Sequence, residues 1–191
     1  MKAVSETAQI ETKPGDAELV ESFRRGRMAA YEELFDRYSA RIYGYIRRLT
    51  SDTALAEDFT QEVFLRAFRE LRRLPGPINF AAWAYRVATN LCHDHFRRMA
   101  RREAAGPPPS PASEDAEREL LRREQAARLE ATLSRLPLDY RTALLLKYVE
   151  GLSYRQIGAV LLLSEGAVTS LLYRARAEMR RLWDKERSLE S

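Results

Sequence analysis

The chain has 191 residues, of which 45% are hydrophobic and 31% charged, and its formal net charge is +4. This length suits one ordinary domain or two small ones. The single cysteine excludes an intrachain disulfide, and no apolar stretch approaches the roughly 20 residues that span a bilayer. Residues 1–15 are polar, lack the apolar run of a secretory signal and predict a disordered tail. We therefore expect a cytoplasmic protein.

Apolar residues recur at helical spacing through the segment 16–102. The pattern predicts helices at about 17–24, 31–49, 54–74 and 80–101. Residues 50–52 supply capping oxygens for the third helix, and the Pro-Gly-Pro turn at 74–77 ends it. Opposite its apolar stripe, the third helix carries a mixed set of polar side chains: Asp58, Gln61, Glu62, Arg66 and Arg69.

The composition changes at residues 103–117, where Pro, Ala, Ser and acidic residues dominate. Such a segment cannot bury enough apolar surface to fold alone, so it predicts a flexible linker. Helices resume at about 118–135 and 139–148, and no strand-like alternation of useful length occurs. We predict an all-α fold of two small helical domains, 16–102 and 118–184, joined by this Pro-rich linker and followed by a tail at 185–191.

The segment 151–179 has the layout of a helix-turn-helix. Ser153 lies three residues before Gln156, which is the capping-box pattern of a helix start. A turn at 162–164 separates this helix from a second one, which Ser164 can cap. The outer face of the second helix carries side chains that reach phosphates and base edges from the major groove: Glu165, Thr169, Ser170, Tyr173, Arg174 and Arg176. Two ordinary packed helices share this spacing, but the capped start, the short turn and the arginines together favour DNA binding.

Basic residues cluster in two segments, which suggests two contacts with a polyanion. Residues 83–102 contain five arginines and one acid, and residues 141–181 contain seven basic residues and three acids. The alternative is that these arginines only solvate helix surfaces.

Two parts of the chain resemble one family. The stretch LPLDYRTALLLKYVEGLSYRQIGAVLLLSEGAVTSLLYRARAEMRRL, at 136–182, resembles region four of bacterial sigma factors of the extracytoplasmic-function (ECF) type. AEDFTQEVFLRAFREL, at 56–71, and FAAWAYRVATNLCHDHFRR, at 80–98, resemble region two of the same family. Both matches occur in the family's order and are joined by a linker, which makes the resemblance specific.

The resemblance implies a transcription initiation factor that binds core RNA polymerase, directs it to promoters and is controlled by an anti-sigma factor. It assigns the polar face of the third helix to the β′ clamp helices and region four to the distal promoter element and the β flap. It assigns the helix after the Pro-Gly-Pro turn to the upstream promoter element, where the strands separate. There the turn would receive an unstacked base, and the polar and basic candidates are Asn79, Arg86, Arg97 and Arg98. We expect Trp83 to pack in the core and leave Tyr85 open.

Four positions depart from the family pattern. Leu162 stands where the turn usually has a small residue, often Gly, and Gly158 replaces the usual Ala at a cost of about 1 kcal/mol in helix propensity. Leu171 and Thr169 stand where basic residues are frequent. Two explanations stay open: Leu162 and Leu171 form an apolar patch for an anti-sigma factor, or Leu171 contacts a thymine methyl group.

Cys92, His93, Asp94 and His95 do not predict a metal site. Neighbours one and two residues apart on a helix point in different directions, so the four side chains cannot converge on one ion. We expect Cys92 to pack and the histidines to face DNA or solvent. Because the sequence also lacks a Gly-rich phosphate loop and a Ser/His/Asp set, we expect no enzyme activity, no cofactor and no metal. The main alternative function is a free-standing helix-turn-helix regulator of duplex DNA.

Overall fold

The computed structural model describes residues 14–103 and 128–189, and every regular element within these ranges is helical. The helices are α1 (Asp16–Arg24), α2 (Met28–Thr50), α3 (Thr53–Glu70), α4 (Phe80–Glu103), α5 (residues 128–134), α6 (Leu138–Leu144), α7 (Tyr154–Leu161) and α8 (Glu165–Leu189). A π-helical turn, Leu145–Val149, continues α6. The all-α prediction is confirmed, whereas the linker and the first part of the helix predicted at 118–135 lie outside the described residues.

Helices α1 to α4 form the first unit. Asp52 ends the break between α2 and α3, and its Oδ1 accepts the amide of Leu55 at 3.0 Å, as the capping prediction requires. The side of α2 that faces α3 and α4 buries Leu34, Ile42 and Ile46 completely. Each such side chain contributes about 1.5–3 kcal/mol of apolar burial, so tertiary packing rather than helix propensity stabilises this long helix.

Helices α5 to α8 form the second unit. Ser153 and Gln156 make the predicted capping box: the Ser153 hydroxyl accepts the Gln156 amide at 3.2 Å, and the Gln156 side chain accepts the Ser153 amide at 2.9 Å. The chain then bends by 93° between α7 and α8, within the range of helix-turn-helix motifs. No single helix among the described residues is long and apolar enough to cross a bilayer, although α7 and α8 together pass that test as a bent pair.

The two units pack against each other through α4 with α7 and through α2 with α6. Glu150 lies at the centre of this contact and is 7% exposed. Its carboxylate accepts a short hydrogen bond from the Tyr85 hydroxyl and pairs with Arg41 Nε at 3.4 Å. Arg141 Nη1 donates to the Leu49 carbonyl at 2.7 Å. The sequence predicted the two units but not these contacts between them.

Candidate nucleic-acid interface

The first half of α8 presents the six side chains predicted to contact DNA. Ser164 Oγ accepts the amide of Ala167 at 3.2 Å and caps the helix, as expected. Val168, Leu172 and Ala175 are buried, which agrees with the predicted inward face. The outward face is exposed along its length: Glu165, Thr169, Ser170, Tyr173, Arg174 and Arg176. The amphipathic pattern is confirmed, and contact with DNA remains a prediction.

Local hydrogen bonds decide which of these side chains reach farthest. Thr169 Oγ1 donates to the Glu165 carbonyl at 3.0 Å, and Ser170 Oγ donates to the Gly166 carbonyl at 3.1 Å. Both hydroxyls therefore lie close to the helix backbone, where they can still accept a hydrogen bond. Tyr173, 69% exposed, and the two arginines after it are the long groups available to a groove.

The turn of the motif explains two of the departures from the family pattern together. Leu162 has φ +59° and ψ 41°, the left-handed conformation that favours glycine. A Cβ atom on Gly158 would lie 2.6 Å from the Leu163 carbonyl oxygen, closer than real contacts allow. The turn backbone thus closes onto α7 at Gly158 and leaves no room for a side chain there.

Leu162 and Leu171 line the same cleft but differ in exposure. Leu162 is 70% exposed, but Leu171 is 8% exposed and lies in a cleft between α4 and the helix-turn-helix. Thr89, Asn90 and His93 line the opposite side of this cleft. Leu171 is therefore less exposed than we predicted, whereas Leu162 is an exposed apolar side chain, and contact of either residue with an anti-sigma factor remains a prediction.

Helix α4 exposes the basic residues predicted for region two. Arg86, Arg97 and Arg98 all lie on its surface, and Arg97 pairs with Asp94 at 2.6 Å. Asn79 is exposed and caps the helix, because its Oδ1 accepts the Ala82 amide at 2.9 Å. Its side-chain amide group remains for another partner.

The aromatic residues of α4 belong to the interior. Trp83 is half-buried and stacks on Phe80 with ring centroids 6.2 Å apart, as expected. Tyr85, left open by the sequence, is completely buried in an edge-to-face contact with Tyr45. Burial and the carboxylate of Glu150 raise the pKa of Tyr85, so the phenol stays protonated.

Of the Cys-His-Asp-His segment of α4, only Cys92 is buried. Cys92 is completely buried, and burial raises the pKa of its thiol to about 12, so the thiolate is not formed near neutral pH. His93 is partly exposed and contacts the second unit, where its Nε2 lies 3.2 Å from Thr142 Oγ1. Burial lowers the pKa of both His93 and His95. Within the described ranges, no group of three or more His, Cys, Asp or Glu side chains is placed to hold a metal ion.

The polar face of α3 is more apolar than its sequence suggested. Of the five predicted residues, Asp58, Gln61 and Arg69 are exposed, whereas Glu62 and Arg66 are half-buried and pair at 2.6 Å. Two large apolar residues, Leu65 and Phe68, are each 41% exposed on the same face. Asp58, Gln61, Leu65 and Phe68 are three or four residues apart, so helical spacing alone could have predicted that they share a face.

The second unit carries an apolar groove that sequence reasoning missed. It measures about 500 Å³ and lies between α5, the π-helical turn and α8. Its wall is almost entirely hydrophobic and includes Leu129, Leu133, Tyr148, Val149, Met179 and Trp183. The π-helical turn exposes Tyr148 and Val149 at the groove while it buries Leu145 and Leu146. Such a groove fits the apolar face of a partner helix.

Two family models match the chain. Sigma-70 region 2 matches residues 34–102, and Sigma-70, region 4 matches residues 126–179. The chain is also similar to RNA polymerase sigma-H factor of Pseudomonas aeruginosa, with 37% identity over 181 residues. That alignment covers 86% of this chain and 92% of the relative.

Solved structures give the same fold. The structure of CnrH in complex with the cytosolic domain of CnrY has a TM-score of 0.69 and 26% sequence identity, and covers 89% of this chain and 97% of that one. The sigma factor RpoE in complex with the anti-sigma factor NepR, from Bartonella quintana, has a TM-score of 0.67 and 21% identity, and covers 81% and 96%.

Proposed function

This chain belongs to the sigma-70 family, in its ECF group, and on that premise we propose that it binds core RNA polymerase and positions it on promoters through two DNA-contacting surfaces. One surface is the outer face of α8, and the other is α4 with the loop before it. The proposal rests on one observation: a single chain exposes both surfaces, each with arginines directed to solvent. It implies no catalytic activity of its own.

The two surfaces suit different forms of DNA. The helix-turn-helix offers Tyr173, Arg174 and Arg176 from a helix that can lie in the major groove of a duplex. The start of α4 instead offers an exposed loop with Asn79 at its end and Arg86 on the helix beyond it. A loop of this kind can receive an unstacked base while the arginines contact phosphates, as single-strand recognition requires. We therefore assign duplex recognition to α8 and strand opening to α4.

Two further surfaces are available for core polymerase. The face of α3 combines Asp58, Gln61 and Arg69 with the exposed side chains of Leu65 and Phe68, and we assign it to the β′ clamp helices. We assign the apolar groove beside α8 to the β flap. Mixed charged and apolar surfaces of this kind are typical of protein interfaces, whose centres are apolar and whose rims are polar.

The test is transcription in a purified system. The chain is added to core polymerase and a promoter library, and transcript starts are mapped with and without the chain. We expect defined starts that require both proteins. Binding to duplex DNA without core polymerase, together with no specific initiation, would instead identify a free-standing regulator.

Variants separate the two DNA surfaces in the same assay. Arg86→Ala should weaken initiation on duplex promoters, and a template with a pre-opened bubble should restore it. Asn79→Ala should weaken initiation on both templates, because the unstacked base is still recognised in the bubble. Arg174→Ala should weaken initiation on both templates, because it acts on the duplex element. For core binding, Leu65→Asp should lower the affinity, whereas Ala54→Asp at the exposed start of the same helix should not.

We also infer that an anti-sigma factor controls this chain and that it uses the exposed side chain of Leu162. The residue is large, apolar and solvent-facing at a position where glycine would relieve the backbone, which suggests a role beyond folding. Leu162→Arg should weaken binding of the inhibitor and leave promoter choice unchanged. A changed promoter choice with intact inhibitor binding would refute this assignment.

A further inference from the structure

A side chain of α1 holds the loop between α3 and α4, residues 71–79. Arg24 Nε donates to the Leu71 carbonyl at 3.0 Å, and its Nη2 donates to the Leu74 carbonyl at 2.5 Å. The remaining nitrogen, Nη1, donates to the Gly76 carbonyl at 2.7 Å. One guanidinium thus contacts three carbonyl groups spread along the loop.

The loop has few other polar restraints. Pro75 and Pro77 have no amide hydrogen, and within the described residues no main-chain amide of residues 75–79 donates to a main-chain carbonyl. Gly76 has φ +70°, a left-handed conformation that glycine adopts readily and other residues do not. The hydrogen bonds to Arg24 therefore fix the middle of the loop.

The guanidinium binds the loop from the side of α1. Its side chain is 16% exposed and also pairs with Glu21 at 3.4 Å. Leu71 and Phe80 are buried and anchor the two ends of the loop. The outer surface between those anchors is open to solvent: Arg72, Arg73, Pro75, Gly76, Pro77 and Asn79. A ligand that reaches this surface would meet a loop whose shape Arg24 has already fixed.

We propose that Arg24 is a positioning residue for promoter recognition, which fixes the loop at 71–79 in the conformation that receives an unstacked base without contacting the DNA itself. The inference rests on the proposed function of this loop. A loop that is already ordered does not lose conformational entropy when it binds DNA. The affinity for the base that fits the loop is therefore higher. Phosphate contacts made by other arginines do not depend on it.

Arginine suits this task better than lysine. The guanidinium is planar and offers five N–H donors in a fixed fork, so one side chain can bind several carbonyl groups at once. A lysine ammonium is a compact point charge on a flexible stem, and it would reach only part of the set. The substitution Arg24→Lys would therefore keep the charge but lose part of the loop's order.

The experiment begins by selecting a promoter. The wild-type chain and core polymerase are added to the promoter library, and a promoter from which they initiate is chosen. Holoenzymes are then made with Arg24→Met, Arg24→Lys and the control Arg25→Met, which removes the same charge from the neighbouring exposed residue. Two oligonucleotides serve as probes: the non-template strand of the selected upstream element, and the same strand with its bases scrambled. The ratio of the two affinities measures base discrimination, and core binding is measured in parallel.

We expect Arg24→Met to lower the discrimination ratio at least tenfold while core affinity stays within twofold of wild type. The affinity for the scrambled strand should change little, since phosphate contacts dominate it. Arg24→Lys should give an intermediate ratio, and Arg25→Met should match the wild-type chain.

A ratio for Arg24→Met within twofold of that for Arg25→Met would overturn the proposal, even with a lower melting temperature. That result would leave Arg24 with a structural role alone. If Arg24→Met does not fold, Arg24→Lys decides by the same criterion, and failure of both to fold would also overturn the proposal. Absence of specific initiation by the wild-type holoenzyme would refute the proposed function itself, in an arm that does not involve Arg24.

Discussion

Replacing Gly158 by alanine should destabilise the helix-turn-helix, although alanine is the better helix former. Helix propensity alone predicts a gain of about 1 kcal/mol. The added Cβ, however, would lie 2.6 Å from the Leu163 carbonyl oxygen, which belongs to the backbone and cannot rotate away. Overpacking of this kind typically costs about 1–3 kcal/mol. We therefore expect a net loss of up to about 2 kcal/mol in the free energy of unfolding.

A second substitution, Leu162→Gly in the turn, tests whether the turn and Gly158 are coupled. Leu162 is mostly exposed, so Leu162→Gly loses little apolar burial and removes a left-handed conformation that costs a side-chain residue about 1–2 kcal/mol. The greater freedom of glycine in the unfolded chain offsets about 0.5–1 kcal/mol of this gain. In the double variant the turn can shift away from the new Cβ. The two changes should therefore be coupled by about 1 kcal/mol.

Urea unfolding followed by circular dichroism measures all three variants. Gly166→Ala is the matched control, because a Cβ at that position meets no atom within 4 Å. If Gly158→Ala proved as stable as the wild-type chain, or as stable as Gly166→Ala, the close contact in the turn would not limit this position. Additive effects in the double variant would refute the coupling between turn and helix.

Three further predictions concern the contact between the units, its pH dependence and the DNA surface. Glu150→Gln should lower the free energy of unfolding by about 1–2 kcal/mol, because Arg41 loses its ion pair with the Glu150 carboxylate. The loss is limited because the Arg41 side chain is 47% exposed and water can solvate it; an unchanged urea midpoint would contradict this. Burial lowers the pKa of His93 from 6.5, so the unfolded chain binds more protons, and stability should be full above pH 6.5 and fall as pH drops below it. His93→Gln should flatten that fall, and an equal slope in both chains would argue against it. Arg174→Ala should reduce the slope of log affinity against log salt on a promoter duplex by about one, whereas Arg25→Ala should leave the slope unchanged.

The features that the sequence predicted depend on residues close together along the chain. The capping box of Ser153 and Gln156 spans three residues, and the apolar stripes repeat every three or four. Both follow from helix geometry, and the structure contains them. Exposure of the α8 face follows in the same way, since it lies opposite the buried stripe.

The features that the sequence missed join distant residues. Arg41 and Glu150 are 109 positions apart, and Arg141 lies 92 positions from the carbonyl of Leu49 that it binds. No periodicity links such pairs, so the packing of the two units could not be foreseen. The 8% exposure of Leu171 was not foreseen either, and its predicted contact with a partner remains a prediction.

Arginine serves two purposes in this chain, and only burial distinguishes them. Arg141 was counted in the basic segment of region four, yet it is buried and binds the carbonyl groups of Leu49, Ser134 and Leu136. Burial lowers its pKa, but an arginine remains charged near neutral pH. Arg24 binds three carbonyl groups in the same manner. Because both guanidinium groups are bound to carbonyl groups of the protein, we expect fewer arginines to be available to DNA than the sequence count suggests, and we expect those to be the exposed arginines of α4 and α8.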